Sequence, residues 1–389
     1  MGWSVPLQTR LIPPKVAQVI GRNRRPKADR GLALAFAVAG AMGVIAASGS
    51  VASAQSISGS AEGTANESVA GRKSQPSADR ETLTVDSKGI TLRYPEDVAK
   101  LRIGGRLQLD FGAAGIRQPF FGRAFDESFA VRRSWIESYL TLYDAAEVAF
   151  QYDFADPTRP INDAVVSFRS LAPFIFTIGN FKEPFSLNQL ISDNNTLFTE
   201  RSLADAFAPA RDFGAAVGGH GDRWTVVAGV YGGNANTGIE RNGLAGTARA
   251  TYAPILTKDE VLHLGIAGSY RSLDRDSMGI SFASRPEAFL FSRAKQLVDT
   301  RTIQGAAAIE RIGFEAAYQH GPFRTQAEYI VTNVDRFRGP SVSFQGGYIE
   351  AGWVLNGRGR PYRLAPEYGS EYAVFSGVAI EDSQRVSQG

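Results

Sequence analysis

The stretch 100–111 alternates between apolar and polar side chains at nearly every position. The apolar set is Leu101, Ile103, Leu107, Leu109 and Phe111, and the polar set is Lys100, Arg102, Arg106, Gln108 and Asp110. Because successive side chains of a β-strand point to opposite faces, this spacing predicts a strand between an apolar and a polar medium. The pattern recurs in most later segments, so it constrains the whole fold.

A basic and then apolar leader precedes these strands. Residues 1–30 carry seven basic side chains against Asp29, an apolar run follows over 31–47, and Ala52-Ser53-Ala54 has the small-x-small spacing of a signal-peptidase site. We expect residues 1–54 to be a cleaved signal peptide, with a retained membrane anchor as the alternative. Residues 55–95, rich in Ser, Gly, Ala and Glu at their start, are expected to form a flexible polar tether before a strand domain over 96–389.

Composition excludes several classes of protein. Seven of the 42 basic residues but only one of the 39 acidic residues lie in 1–54, so the remaining chain has a net charge of −3. A nucleic-acid partner is therefore not expected. The chain has no Cys, and no apolar run after the leader approaches the roughly 18 residues of a membrane helix. An outer-membrane barrel and a periplasmic or secreted β-domain remain.

The lengths of the connections separate these two options. About thirteen strands are expected, the clearest over 100–111, 131–142, 148–154, 164–169, 174–178, 224–230, 244–252, 262–271, 314–318, 323–331 and 348–355. Tight connections are expected at 144–146, 170–173 and 320–322, and long polar ones at 113–128, 184–211 and 334–343. Short turns on one rim and long loops on the other are typical of an outer-membrane barrel.

Three motifs in fixed order within 178–214 carry a resemblance to a known family. They are Gly179-Asn-Phe-Lys-Glu-Pro-Phe-Ser-Leu187, Phe198-Thr-Glu-Arg-Ser-Leu203 and Phe207-Ala-Pro-Ala-Arg-Asp-Phe-Gly214. Together with Gly104-Gly105-Arg106, Arg132-Arg133, Gln151-Tyr-Asp-Phe-Ala155 and Gly347-Tyr-Ile-Glu-Ala-Gly352, this series resembles the phosphate-selective porin O and P family. The resemblance implies a 16-stranded transmembrane antiparallel up-and-down β-barrel, assembled as a homotrimer in the outer membrane lipid of a Gram-negative bacterium. It also implies that lumen Arg and Lys side chains pass phosphate or polyphosphate inward.

The end of the chain departs from the family pattern. Members of the family continue with further strands, whereas this sequence ends at Gly389 after the polar stretch 380–389, about three strands short of sixteen. An open barrel edge would leave unpaired backbone groups in lipid, at several kcal/mol each. We therefore expect a C-terminally incomplete barrel, as a fragment or a prematurely terminated product.

Strand parity places basic side chains on the lumen face. They are Lys100, Arg102, Arg106, Arg133, Arg169, Arg249, Arg271 and Arg324, with the acids Asp110, Glu137, Asp153 and Glu328 on the same face. Guanidinium groups match phosphate oxygens and stay charged, so a series of them can select anions. The alternative is that these cations pair with the acids and only keep the pore wall polar.

Three further basic residues, Lys182, Arg201 and Arg211, lie in the segment 180–214, which is expected to fold inward as a constriction loop, in line with the resemblance. Glu200 and Arg201 are expected to lock this loop to the wall, and a transport role for Lys182 is left open. The candidate anion pathway is therefore Arg102, Arg106, Arg133, Lys182, Arg201, Arg211 and Arg249.

Few features of the sequence favour an enzyme. The three His residues lack metal-ligand spacing, and neither a G-x-S-x-G elbow nor a P-loop is present. We expect no enzyme activity, no metal and no cofactor. The predicted function is passive diffusion of small anions, with inorganic phosphate as the expected solute. The alternatives are a general non-selective porin and an exported β-rich binding or adhesion protein without a pore.

Overall fold

The computed structural model describes residues 81–86, 89–95, 98–118, 122–236, 243–275, 279–284, 297–355 and 359–378. The predicted signal peptide over 1–54, the tether residues 55–80 and the polar stretch 379–389 lie outside the described residues. Cleavage after Ala54 and the incomplete barrel therefore stay predictions.

The described residues are mainly β-strands. In chain order they are β1 (Thr82–Asp86), β2 (Gly89–Arg93), β3 (Ala99–Gln118), β4 (Gly122–Leu142), β5 (Ala146–Asp153), β6 (Ile161–Leu171), β7 (Phe174–Lys182), β8 (Arg211–His220), β9 (Trp224–Tyr231), β10 (Ala245–Leu256), β11 (Glu260–Ser272), β12 (Ala283–Ser284), β13 (Val298–Asp299), β14 (Ala306–His320), β15 (Phe323–Arg336), β16 (Val342–Trp353), β17 (Tyr362–Arg363) and β18 (Val374–Phe375). A four-residue helix α1 (Leu187–Leu190) and a 3₁₀ helix (Leu203–Phe207) lie between β7 and β8. No helix in these ranges is long and apolar enough to cross a membrane.

Fourteen strands form one sheet in which sequence neighbours pair. Its order is β1 to β11, then β14, β15 and β16, and each pairing is antiparallel. The two-residue strands β12 and β13 pair with each other, as do β17 and β18. The prediction of an all-β antiparallel fold is confirmed. In the part of the chain that is described, β1 and β16 do not pair with each other, so closure into a 16-stranded barrel stays a prediction.

The polar face of the sheet is buried and its apolar face is exposed, which is the reverse of the arrangement in a soluble protein. On β10, Thr247, Arg249 and Thr251 are buried, whereas Tyr252 is exposed. The same reversal holds along the sheet, whose exposed face includes Leu107, Phe111, Ile136, Phe176, Val226, Ile266, Phe314 and Ile349. An apolar outer face and a polar inner face are expected of strands whose outer side contacts lipid.

The two rims also differ. Connections on one rim are short, at 143–145, 172–173, 221–223, 257–259 and 321–322. Connections on the other rim include the long loop 183–210 between β7 and β8. The predicted tight turns at 144–146, 170–173 and 320–322 and the predicted long loop at 184–211 are thus present. The predicted loop at 334–343 is shorter, since β15 extends to Arg336 and β16 starts at Val342.

Two boundaries differ from the sequence analysis. The predicted polar loop 113–128 is instead the continuation of β3 and β4, because their backbones stay paired as far as Gln118 and Gly122. The last part of the predicted tether is a hairpin of β1 and β2, and Ile90 pairs with Ile103 of β3. Its strands have only five residues each, which is too short for the alternation to stand out from the polar sequence around it.

Two stretches of chain pack against the polar face. The first, here called the inward loop, is residues 183–210, and its Phe207 packs on Phe344 of β16. The second, the inward segment, is residues 359–376. Its Tyr368 contacts Tyr139 of β4, and its Phe375 lies under Arg324 of β15. Because one short segment contacts both β4 and β15, which are far apart in the strand order, the sheet curves toward its polar face.

Candidate functional site

The first pair of predicted pathway residues lies on β3. Strand pairing sets Arg102 opposite Tyr139 and Arg106 opposite Trp135. Each guanidinium carbon lies 4.2 Å from the centre of the facing ring, an arrangement that favours the cation. Arg106 also forms a 3.1 Å ion pair with Glu137, and its Nε and Nη1 atoms are buried without a hydrogen-bond partner.

Lys182 ends β7 and points into a closed group of acceptors. Its side chain is 3% exposed. Its Nζ lies 2.8 Å from a carboxylate oxygen of Glu371 and 3.1 and 3.4 Å from the carbonyl oxygens of Leu190 and Ile191. The ammonium therefore meets acceptors from both the inward loop and the inward segment.

Asp193 of the inward loop joins two more predicted residues. Its carboxylate lies 2.5 Å from Arg201 and 3.7 Å from Arg133 of β4. Burial by itself would raise the pKa of Asp193, but Arg201 and Arg133 outweigh burial and hold that pKa well below its usual range. Arg201 also donates to the carbonyl oxygens of Asn188 and Ile191, at 3.0 Å each, so it holds α1 in place.

Arg211 at the start of β8 forms a two-pronged pair with Asp163 of β6, at 2.8 and 3.3 Å. Tyr368 of the inward segment donates to the same carboxylate at 3.4 Å. Paired forks of this kind fix both the distance and the plane of the guanidinium group.

Arg249 forms a separate cluster across β10, β11 and β14. Its guanidinium makes 2.7 and 2.8 Å bonds to Glu315 and donates to the carbonyl oxygen of Tyr372 at 2.6 Å. His263 lies 3.2 Å from the same carboxylate and 2.7 Å from the hydroxyl of Tyr362. The Arg249 and Glu315 side chains are 0% and 1% exposed, so this cluster is sealed from water.

The seven predicted residues therefore fall into separate groups. Arg133, Lys182, Arg201 and Arg211 come together around Asp193, Asp163 and Glu371, whereas Arg249 belongs to the sealed cluster and Arg102 and Arg106 lie on β3. Each of the seven has a carboxylate within 4.0 Å, including Arg102, which lies 3.6 Å from Glu367. This pairing is the arrangement expected of the alternative reading, in which the cations keep the wall polar.

The expected lock between the inward loop and the wall has a defined geometry. Glu200 accepts two bonds from Arg132 of β4, at 2.6 and 3.0 Å. Arg201 instead bonds within the loop through Asp193 and the carbonyl oxygens of α1. Glu183 adds a further wall contact, a 2.5 Å bond from Arg271 of β11.

Several acids of this site were not among the residues predicted from the sequence. Glu315 was detectable, because it lies between Phe314 and Ala316 on β14, and the alternation of the strand places it on the opposite, polar face. Asp193 and Glu371 carry no such signal, since they lie in irregular segments and reach their partners only through folding. Arg311 of β14 was also missed, and its Nε and Nη1 atoms are buried without a hydrogen-bond partner.

One loop carboxylate is poorly compensated. Burial raises the pKa of Asp205, in the 3₁₀ helix, to about 6, although Arg201 acts in the opposite direction. One of its carboxylate oxygens is buried without a hydrogen-bond partner. No group of three or more His, Cys, Asp or Glu side chains that could hold a metal ion occurs among the described residues.

The chain is similar in sequence to proteins of other bacteria. An uncharacterized protein of Caulobacter vibrioides is 26% identical over 271 residues, which cover 67% of this chain and 54% of that protein. The chain thus spans about half the length of that relative. Porin O of Pseudomonas aeruginosa is 25% identical over 322 residues, covering 76% of this chain and 72% of that protein.

A solved structure of OmpT, an outer membrane protein of Vibrio cholerae in trimer form, aligns with 74% of this chain and 96% of its own. Its sequence identity is 10% and its TM-score is 0.33, which is too low to support an argument. The family model for phosphate-selective porin O and P matches residues 101–372, which is most of the chain. The chain is therefore an outer-membrane protein of a Gram-negative bacterium and belongs to the phosphate-selective porin O and P family.

Proposed function

We propose that this protein is a porin through which small anions, phosphate or polyphosphate among them, diffuse passively along a pathway of Arg and Lys side chains. The pathway consists of Arg102, Arg106, Arg133, Lys182, Arg201 and Arg211, whereas the predicted Arg249 is left out because it is sealed against Glu315. Membership of a porin family points to a channel rather than an enzyme.

The observation that carries this proposal is the cluster around Lys182. Four of the six cations converge there from β4, β7, the inward loop and β8, on the face that is turned away from the apolar exterior. Charged groups held by the wall and by an inward loop are a common way to select ions in a pore. Several sites in series allow an anion to be bound and then released.

A 16-stranded barrel that assembles as a homotrimer in outer-membrane lipid completes the proposal. The apolar outer face of the sheet is suited to lipid or to a neighbouring subunit.

A general non-selective porin is the second candidate, and one observation favours it. Every one of the seven predicted cations has a carboxylate partner, which lowers the net positive charge offered to an anion. A β-rich binding or adhesion protein without a pore is the third candidate, and no contact described above favours it.

Planar-bilayer recording of the full chain separates these candidates. We expect stepwise chloride conductance that inorganic phosphate reduces in a concentration-dependent manner. Conductance without phosphate block would support the general porin, and an absence of conductance would rule out both porin proposals.

A further inference from the structure

The ammonium group of Lys182 has all of its donors engaged. An ammonium has three donors, and three acceptors lie within 3.4 Å: Glu371, Leu190 and Ile191. The two carbonyl oxygens are neutral and belong to the last residue of α1 and the residue after it, which Arg201 helps to hold in place. Glu371 is the one carboxylate among the three acceptors, so it is the one that a mobile anion could replace.

Glu371 approaches from a different part of the chain than the rest of this group. It belongs to the inward segment, and its side chain is 15% exposed, so water reaches the carboxylate. Its immediate neighbours are buried and held in place: Ser370 donates to the carbonyl oxygen of Lys182, and the carbonyl oxygen of Tyr372 accepts from Arg249. The carboxylate therefore stands at the boundary between the buried cation and the water inside the sheet.

The charges around Lys182 are balanced while Glu371 is in place. The cations of this group are Arg133, Lys182, Arg201 and Arg211, and the carboxylates are Asp163, Asp193, Asp205 and Glu371. An anion that enters beside Glu371 adds a negative charge without compensation in a partly dry site, which is unfavourable. An anion that takes the place of Glu371 leaves the balance unchanged.

We propose that the carboxylate of Glu371 is an intramolecular competitor of the permeant anion for Lys182, so that binding of an anion displaces Glu371 from the ammonium. This inference rests on the proposed function, since it concerns the same pathway. It makes Glu371 a determinant of anion affinity: the inward segment weakens binding at Lys182 and thereby favours release.

The direct test is Glu371→Gln in the full chain. The amide keeps the shape of the side chain and removes its charge, so phosphate no longer competes with a carboxylate. We expect the phosphate concentration for half-block of the chloride current to fall by roughly fivefold or more. Glu260→Gln is the control, because the Glu260 carboxylate accepts from the Tyr318 hydroxyl at 2.7 Å rather than from a cation of the proposed pathway. We expect less than a twofold change for this control.

A double-mutant cycle locates the effect at Lys182. Lys182→Gln alone should raise the half-block concentration, and Glu371→Gln added to Lys182→Gln should give no further gain in affinity. If Glu371→Gln raises phosphate affinity equally with Lys182 present and with Lys182→Gln, Glu371 acts through its long-range electrostatic field. That result would overturn the proposal.

The outcomes also separate this inference from the proposed function. If the unaltered protein is blocked by phosphate and Glu371→Gln leaves the half-block concentration unchanged, the competitor role is wrong and the porin proposal stands. If the unaltered protein conducts without any phosphate block, or does not conduct, the anion pathway and the competitor role fall together.

Discussion

Two Arg–Glu pairs on the inward face of the sheet have the same chemistry and very different surroundings. Arg106 and Glu137, on β3 and β4, are 11% and 16% exposed, and the guanidinium lies over the ring of Trp135. Arg249 and Glu315, on β10 and β14, are 0% and 1% exposed and share their bonds with His263 and the inward segment. The first pair is partly exposed, so its guanidinium can exchange the carboxylate for a passing anion. The second, the sealed pair, holds the structure together. Position on the inward face therefore does not by itself assign a cation to transport.

Removal of one member of the sealed pair should have the largest effect. Arg249→Met leaves Glu315 buried without its main partner, and the loss of one partner from a buried pair costs about 3–5 kcal/mol of folding free energy. Denaturant titration and gel mobility of the unheated protein measure this loss. The double variant Arg249→Met with Glu315→Leu should recover most of it, because no unpaired charge remains. Equal instability of the single and double variants would contradict the assignment of a buried pair.

The same kind of change in the partly exposed pair of Arg106 and Glu137 should affect transport instead of folding. Arg106→Gln removes one charge-assisted contact for an anion, worth about 1 kcal/mol, so phosphate half-block should shift upward by roughly fivefold. The denaturation midpoint should stay close to that of the unaltered protein. An unchanged half-block concentration would remove Arg106 from the pathway.

Asp205 offers a pH-dependent variation on the same contrast, because one of its carboxylate oxygens is buried in the inward loop without a hydrogen-bond partner. Its pKa in the folded protein, about 6, lies above its ordinary value, so the folded state binds the proton more tightly than the unfolded state does. The stability contributed by the protonated group is complete below the ordinary pKa and is lost as the pH rises through about 6. Hydrogen exchange of residues 203–207 should therefore speed up beyond its intrinsic change between about pH 4 and pH 6.5, with little further excess above that range.

The matched variant for that measurement is Asp205→Asn, which cannot ionise. We expect its exchange to follow the intrinsic pH dependence alone. The same excess acceleration in Asp205→Asn would show that another group controls the inward loop.

The smallest effect is expected for the exposed pair of Arg363 and Glu367, 2.7 Å apart in the inward segment. Exposed pairs of this type contribute about 0.5 kcal/mol or less. Arg363→Gln should leave both the denaturation midpoint and phosphate block within error. A shift as large as that of Arg106→Gln would mean that exposure does not separate the two kinds of pair.

The strands and the faces of the wall were predictable because both follow from a period of two. Residues 100–111 show this alternation without interruption, and Arg102 and Arg106 indeed lie on the inward side. The prediction was wrong for 113–128, where the backbones pair beyond the end of the clear apolar alternation. Backbone pairing depends on the neighbouring strand, and the side-chain pattern of one strand does not record it.

The partners of the cations were much less predictable. Lys182 and Glu371 are 189 positions apart, and the second belongs to a segment without regular spacing. Their contact depends on how the inward segment packs on Phe181 and Tyr231, which no local pattern encodes. The same holds for Asp193, whose role depends on the path of the inward loop after α1.

The central claim is an anion-selective pore, and the reversal potential of the unaltered protein tests it most directly. The measurement uses a planar bilayer with a tenfold gradient of KCl across it. The account predicts a reversal potential close to the chloride equilibrium potential, because the proposed pathway offers Arg and Lys donors to a passing anion. A reversal potential near zero or near the potassium equilibrium potential would contradict it.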